Sequence, residues 1–161
     1  MSNIGINPSQ IVLAADVANG SSPYRLGQVM WNVSSVGANL AYKWVVYDEG
    51  SAAVDGVAGE VAYYYTLDGY KNHAVTSDLS DSVEIGAGVL VGAPSDGDEC
   101  WIQIKGPATL TIALTAGADG DPLTPTGSAD GTLDVSAAVT DNICAIAGDI
   151  SDKEIVCDFP F

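Results

Sequence analysis

The chain has 161 residues, 47% of them hydrophobic, with 21 acidic against 5 basic side chains and a net charge of −16. That length suits one domain with a core of its own, burying roughly two thirds of the surface that the unfolded chain exposes, and the apolar content excludes a disordered chain. The charge excludes nucleic acid and disfavours an anionic membrane surface, because both need clustered Lys and Arg, and Arg25, Lys43, Lys71, Lys105 and Lys153 are scattered.

The first six residues lack a basic segment followed by an apolar one, so no secretory signal is expected and synthesis in a cytoplasm is. No apolar stretch approaches the roughly 20 residues that span a bilayer. Residues 1–24 read as an extended N-terminal arm with one strand-like run, 11–17, bounded by Pro8 and by Asn19-Gly20-Ser21-Ser22-Pro23. Such an arm, through Ile11 and Leu13, pairs with a neighbour's sheet edge or serves as the domain's own first strand.

Residues 25–161 read as the β domain. Period-two alternation recurs in short runs at 25–33, 40–47, 60–67, 83–91 and 100–105, then at 109–115, 132–137, 143–147 and 154–159. Turns fall at Asp48-Glu49-Gly50, Asp68-Gly69, Asp96-Gly97, Asp119-Gly120 and Asp130-Gly131. About ten short strands at such spacing predict an all-β fold, a β-sandwich or β-barrel.

Within 100–105, Cys100, Ile102 and Ile104 share one face; within 109–115, Leu110, Ile112 and Leu114 do. Pairing the two as a hairpin with matched apolar faces requires the loop Gly106-Pro107-Ala108, and a sub-division of the domain could fall near 106–107. In 154–159, Ile155, Cys157 and Phe159 alternate with Glu154, Val156 and Asp158. Run 40–47 is apolar on both faces, with Tyr42 and Trp44 on one and Val45 and Tyr47 on the other. It belongs in a two-layer core or against another subunit, and the Tyr63-Tyr64-Tyr65 triplet poses the same choice. Because Tyr and Trp are enriched at interfaces, Tyr42, Trp44, Tyr63 and Tyr65 join Ile11 and Leu13 as interface candidates. The apolar chain end adds Phe159 and Phe161, expected to pack into the body or a neighbour.

Chemistry-bearing motifs are scarce, so no enzymatic activity and no cofactor are expected. The single histidine, His73, sits in a largely polar segment and reads as solvated. Cys100, Cys144 and Cys157 lie in apolar runs, too far apart for a zinc site and odd in number for a disulfide framework. The acidic turns carrying Asp96 and Asp98, and Asp119 and Asp121, are the candidates for calcium, which takes oxygen ligands. Neither matches the twelve-residue calcium loop, and plain acidic β-turns are the simpler account.

Five stretches carry a resemblance: Val75-Thr76-Ser77-Asp78; Gly88-Val89-Leu90-Val91-Gly92; Cys100-Trp101-Ile102-Gln103-Ile104-Lys105-Gly106; Gly120-Asp121-Pro122-Leu123; and Asp130-Gly131-Thr132-Leu133. Together, over roughly residues 25–159, they resemble the capsid decoration, or cement, proteins of tailed bacteriophages. The resemblance implies a β-sandwich or barrel and a homo-oligomer, with a trimer favoured. It further implies the major capsid protein as partner, a place on the capsid surface of the virion, and no catalysis. A tail or baseplate component, or a carbohydrate-binding module using Trp31, Trp44 and Trp101, are the alternatives.

Overall fold

The computed structural model describes residues 6–33, 37–66 and 69–160. The fold is all-β. Eleven strands are found among these residues: β1 (Ile11–Val12), β2 (Val29–Val33), β3 (Asn39–Tyr47), β4 (Val61–Tyr65), β5 (Ala74–Thr76), β6 (Ser82–Leu90), β7 (Glu99–Thr109), β8 (Pro122–Thr124), β9 (Asp134–Val135), β10 (Ala145–Asp149) and β11 (Glu154–Asp158). Two short helices, α1 (Ala14–Ala18) and α2 (Gly69–Asn72), and a 3-10 turn at Leu79–Asp81 complete the set.

Strands β3, β5, β4, β6 and β7 pair in that order, and β7 pairs back with β3, so five strands close a barrel. Only the β3–β5 pairing is parallel among these. Closure removes the unpaired edges that an open sheet would present. The remaining six strands lie outside the barrel, four of them in the order β11-β10-β8-β9.

Strand β7 is the hub. Cys100 pairs with both Val45 and Ile11, Gln103 with both Tyr42 and Val89, and Lys105 with both Ala41 and Asp158. A residue bonded to two strands must use both of its edges. One edge of β7 is therefore given to β3, and the other to β1, β6 and β11 in succession.

The expected hairpin after Lys105 does not form, and Gly106-Pro107-Ala108 is not a loop. β7 runs on to Thr109, pairing Gly106 with Cys157 and Pro107 with Val156. Gly106 makes this possible: its φ is +89°, and a Cβ there would lie 2.5 Å from the Asn39 carbonyl oxygen. Pro107 is tolerated because β3 has already ended its pairing with β7 at Lys105, so the missing N–H faces no partner strand. The suggested sub-division near 106–107 thus falls inside a strand.

The alternation in run 40–47 separates two apolar clusters. Ala41, Val45 and Tyr47 belong to the main core with Cys100, Ile102 and Ile104. Tyr42 and Trp44 join Trp101 in a second cluster, covered by Ile6, Val12 and Tyr24 of the N-terminal segment. Of the two possibilities for that segment, β1 is its own chain's strand, laid against β7 with Ile11 opposite Cys100. The run expected at 11–17 stops as a strand at Val12 and turns into α1. The Asp98 carboxylate, 84 residues away, accepts the Ala14 N–H at the start of α1 at 2.8 Å, satisfying one of the donors that a helix start leaves free.

Candidate functional site

Three of the four carboxylates proposed for calcium accept hydrogen bonds from the fold. Buried Asp98 accepts N–H groups from Ala14 and Ser95. Asp119 accepts the Ile150 N–H and Asp121 the Ala118 N–H. Asp96 stands exposed beside Gly97, whose φ of +75° makes the turn. Among the described residues no group of three or more His, Cys, Asp or Glu side chains is arranged to hold a metal ion. The carboxylates of Asp98, Asp119 and Asp121 do the work of caps, supplying acceptors to backbone N–H groups otherwise left unpaired.

Most aromatic interface candidates are interior. Trp44 and Trp101, opposite each other across β3 and β7, meet edge to face at 5.0 Å between ring centroids, and Tyr24 packs on both at 4.9 and 4.8 Å. The Glu99 carboxylate closes this cluster, accepting the Trp44 Nε1–H at 2.6 Å and the Ser22 hydroxyl. Tyr63 is buried, and its hydroxyl accepts the Thr132 N–H at 3.0 Å. Phe159 is buried, its ring so close to Gly86 that a Cβ there would lie 2.8 Å from Cε1. Tyr42, Trp44, Tyr63 and Phe159 are thus core within one chain rather than surface for a partner. Ile11 and Tyr65 are half-buried, Leu13 is exposed, and Phe161 lies outside the described residues.

Beside this core lies a polar pair. Lys43, only 2% exposed, donates to the Tyr64 hydroxyl at 2.8 Å and sits 5.1 Å from the Tyr64 ring centroid and 5.8 Å from that of Tyr70. Burial lowers its pKa, and burial raises that of Tyr64. The expectation of a solvated His73 is corrected. It is half-buried with φ of +58°, packs its imidazole against Gly27, and its pKa is lowered by burial and by Lys43.

What the fold presents outward is a row of apolar residues. Ile146 of β10 is directly opposite both Val156 of β11 and Pro122 of β8, and Val156 is directly opposite Pro107 of β7. All four are exposed, Ile146 by 48% and Val156 by 46%. At the usual strand spacing the row is about 14 Å long. Their chain neighbours Leu123, Ala145, Ala147, Ile155 and Cys157 point the other way and are buried.

Along one flank of the row, two positions on from Val156 and Pro107, lies the Lys105–Asp158 ion pair, which also lines a cleft of about 530 Å³ with Ile143, Tyr70 and Asp141. Along the other flank lie Glu154 and Asp149, opposite each other on β11 and β10. The alternation in 154–159 had already placed Val156 outward with Glu154 and Asp158. Its continuation onto Ile146, Pro122 and Pro107 depended on strand register, which no local pattern carries.

Compared with known protein families, with curated proteins and with solved structures, the chain finds no match.

Proposed function

We propose that the chain is a structural virion protein of a tailed bacteriophage, which binds the outside of the capsid as an oligomer, a trimer favoured, and stabilises the shell. Its partner is the major capsid protein, its place the capsid surface, and it performs no catalysis there. The observation that carries this proposal is the exposed apolar row on an outer sheet braced against a closed barrel. A shell-stabilising protein needs a rigid body and a surface that holds on to its neighbours. Several linked weak contacts per oligomer then make dissociation rare.

The carbohydrate-binding alternative loses two of its three tryptophans, since Trp44 and Trp101 are fully buried and only Trp31, 62% exposed, faces outward. Quantitative mass spectrometry of purified full virions tests the proposal. A copy number on the order of the capsid protein's supports decoration. A few copies per particle point to the tail or baseplate, and absence from the particle ends the proposal.

A further inference from the structure

Resting on the virion proposal, we infer that the row Pro107–Val156–Ile146–Pro122 is the docking face, and that its partner is a protein surface offering an apolar strip flanked by Lys or Arg. Three features point there. The row is continuous across four strands and exposed, whereas isolated exposed apolar residues need no explanation. Val156, Ile146 and Pro122 lie on paired strands whose buried neighbours are locked in the core, and Pro107 is held by its own ring and by pairing with β11, so the surface is preformed and little ordering accompanies binding.

The third feature is charge, which selects the occupant. Glu154 and Asp149 stand along one flank of the row, with Asp158 and Asp141 along the other. Asp141 is held below the usual carboxylate range by the Ala138 N–H, then by the Ala137 N–H and the Ser136 hydroxyl. Asp149 is held low by the Ser151 hydroxyl and the Asp152 and Ser151 N–H groups. Both are ionised at neutral pH. Lys105 offsets Asp158, and the Lys153 ammonium, donating to the Thr111 carbonyl at 2.8 Å, adds one positive charge, so the four carboxylates around the row still outnumber its two cations. A second copy of this chain would set the same carboxylates against one another, with −16 on each molecule. An anionic lipid surface is repelled likewise. A basic-rimmed apolar strip satisfies both the row and its flanks.

The test uses the full ¹⁵N-labelled chain, titrated with three synthetic peptides of about ten residues: alternating Val and Lys, alternating Ser and Lys, and alternating Val and Glu. The Val–Lys peptide is expected to shift amide signals of β7, β8, β10 and β11 around the row. The other two should bind at least about ten-fold more weakly. The Ile146→Thr/Val156→Thr variant, altered only at exposed positions and unchanged in charge, should lose the Val–Lys interaction while its tryptophan emission stays unchanged. Shifts centred elsewhere, equal binding of the Ser–Lys peptide, or association of the chain with itself through this row would overturn the assignment. Virion copy number is read separately. A virion-abundant protein whose row ignores the Val–Lys peptide loses this face but keeps its place on the particle, and the reverse result removes the particle alone.

Discussion

Glu99 fastens the N-terminal segment to the barrel through two donors, the Ser22 hydroxyl and the Trp44 indole N–H. Replacing it with an apolar residue of similar size leaves the buried Trp44 indole N–H without an acceptor, a loss of about 1–3 kcal/mol, while the half-buried Ser22 hydroxyl keeps the Tyr24 carbonyl. Glu99→Leu should therefore lower the urea midpoint with the denaturant slope unchanged, and an unaltered midpoint would show that the fastening is idle. Tyr63→Phe should cost about 1–3 kcal/mol by the same measure, because the Thr132 N–H loses its acceptor. The thiols give a pH signature. Burial pushes Cys100 and Cys157 up to about 12 from an ordinary 9.0, and it raises Cys144, Tyr63 and Tyr64 as well. Below pH 9 both folded and unfolded thiols are protonated. Between 9 and 12 the unfolded chain has lost those protons while the folded chain keeps them, so stability falls as pH rises, by about 1.4 kcal/mol per unit for each group. Resistance to chemical denaturation should weaken steeply above pH 9, and a thiol reagent at pH 8 should label none of the three cysteines until the chain unfolds. Labelling of the native chain would contradict their burial.

Among the elements, β7 shows most clearly what a local pattern carries. The alternation in 100–105 and 154–159 names the faces that join the main core, whereas in 40–47 it separates two faces that are both buried and does not tell core from a partner's surface. Gly106-Pro107 misleads because its composition is that of a turn, while its conformation is decided by Asn39, which comes 67 residues earlier. Strands β5 and β8 go unread, since three residues are too few for a period of two to declare itself. The exposed row was half legible for the same reason: Val156 follows from its own strand, but Ile146, Pro122 and Pro107 follow from register alone. Gly106→Ala separates conformation from crowding when compared with Gly120→Ala. Both glycines have positive φ, +89° and +87°, but a Cβ at Gly120 meets nothing within 4 Å. Gly120→Ala should cost only the left-handed conformation, about 1–2 kcal/mol. Gly106→Ala should cost clearly more, read as the larger drop in melting temperature. Equal drops would mean that the close Asn39 carbonyl moves away freely.

For the whole molecule, the excess of carboxylates is the dominant electrostatic fact. Many of them are fixed locally by N–H groups, yet they still repel one another across the surface. Adding salt should therefore raise the melting temperature, since screening lengths shrink to about 3 Å at 1 M and self-repulsion weakens. A flat or falling response would show that the local fixation already offsets the repulsion. The position of β7 in the chain has a consequence for synthesis. Its partners span nearly the entire sequence, from Ile11 to Asp158. The barrel cannot close until β7 has left the ribosome, and the outer sheet cannot dock until β11 follows. Contacts that distant in sequence fold slowly, on a scale of about milliseconds to seconds. Until then the aromatic face of β3 stands uncovered in the nascent chain, and its acidic charge is what keeps such half-made copies apart.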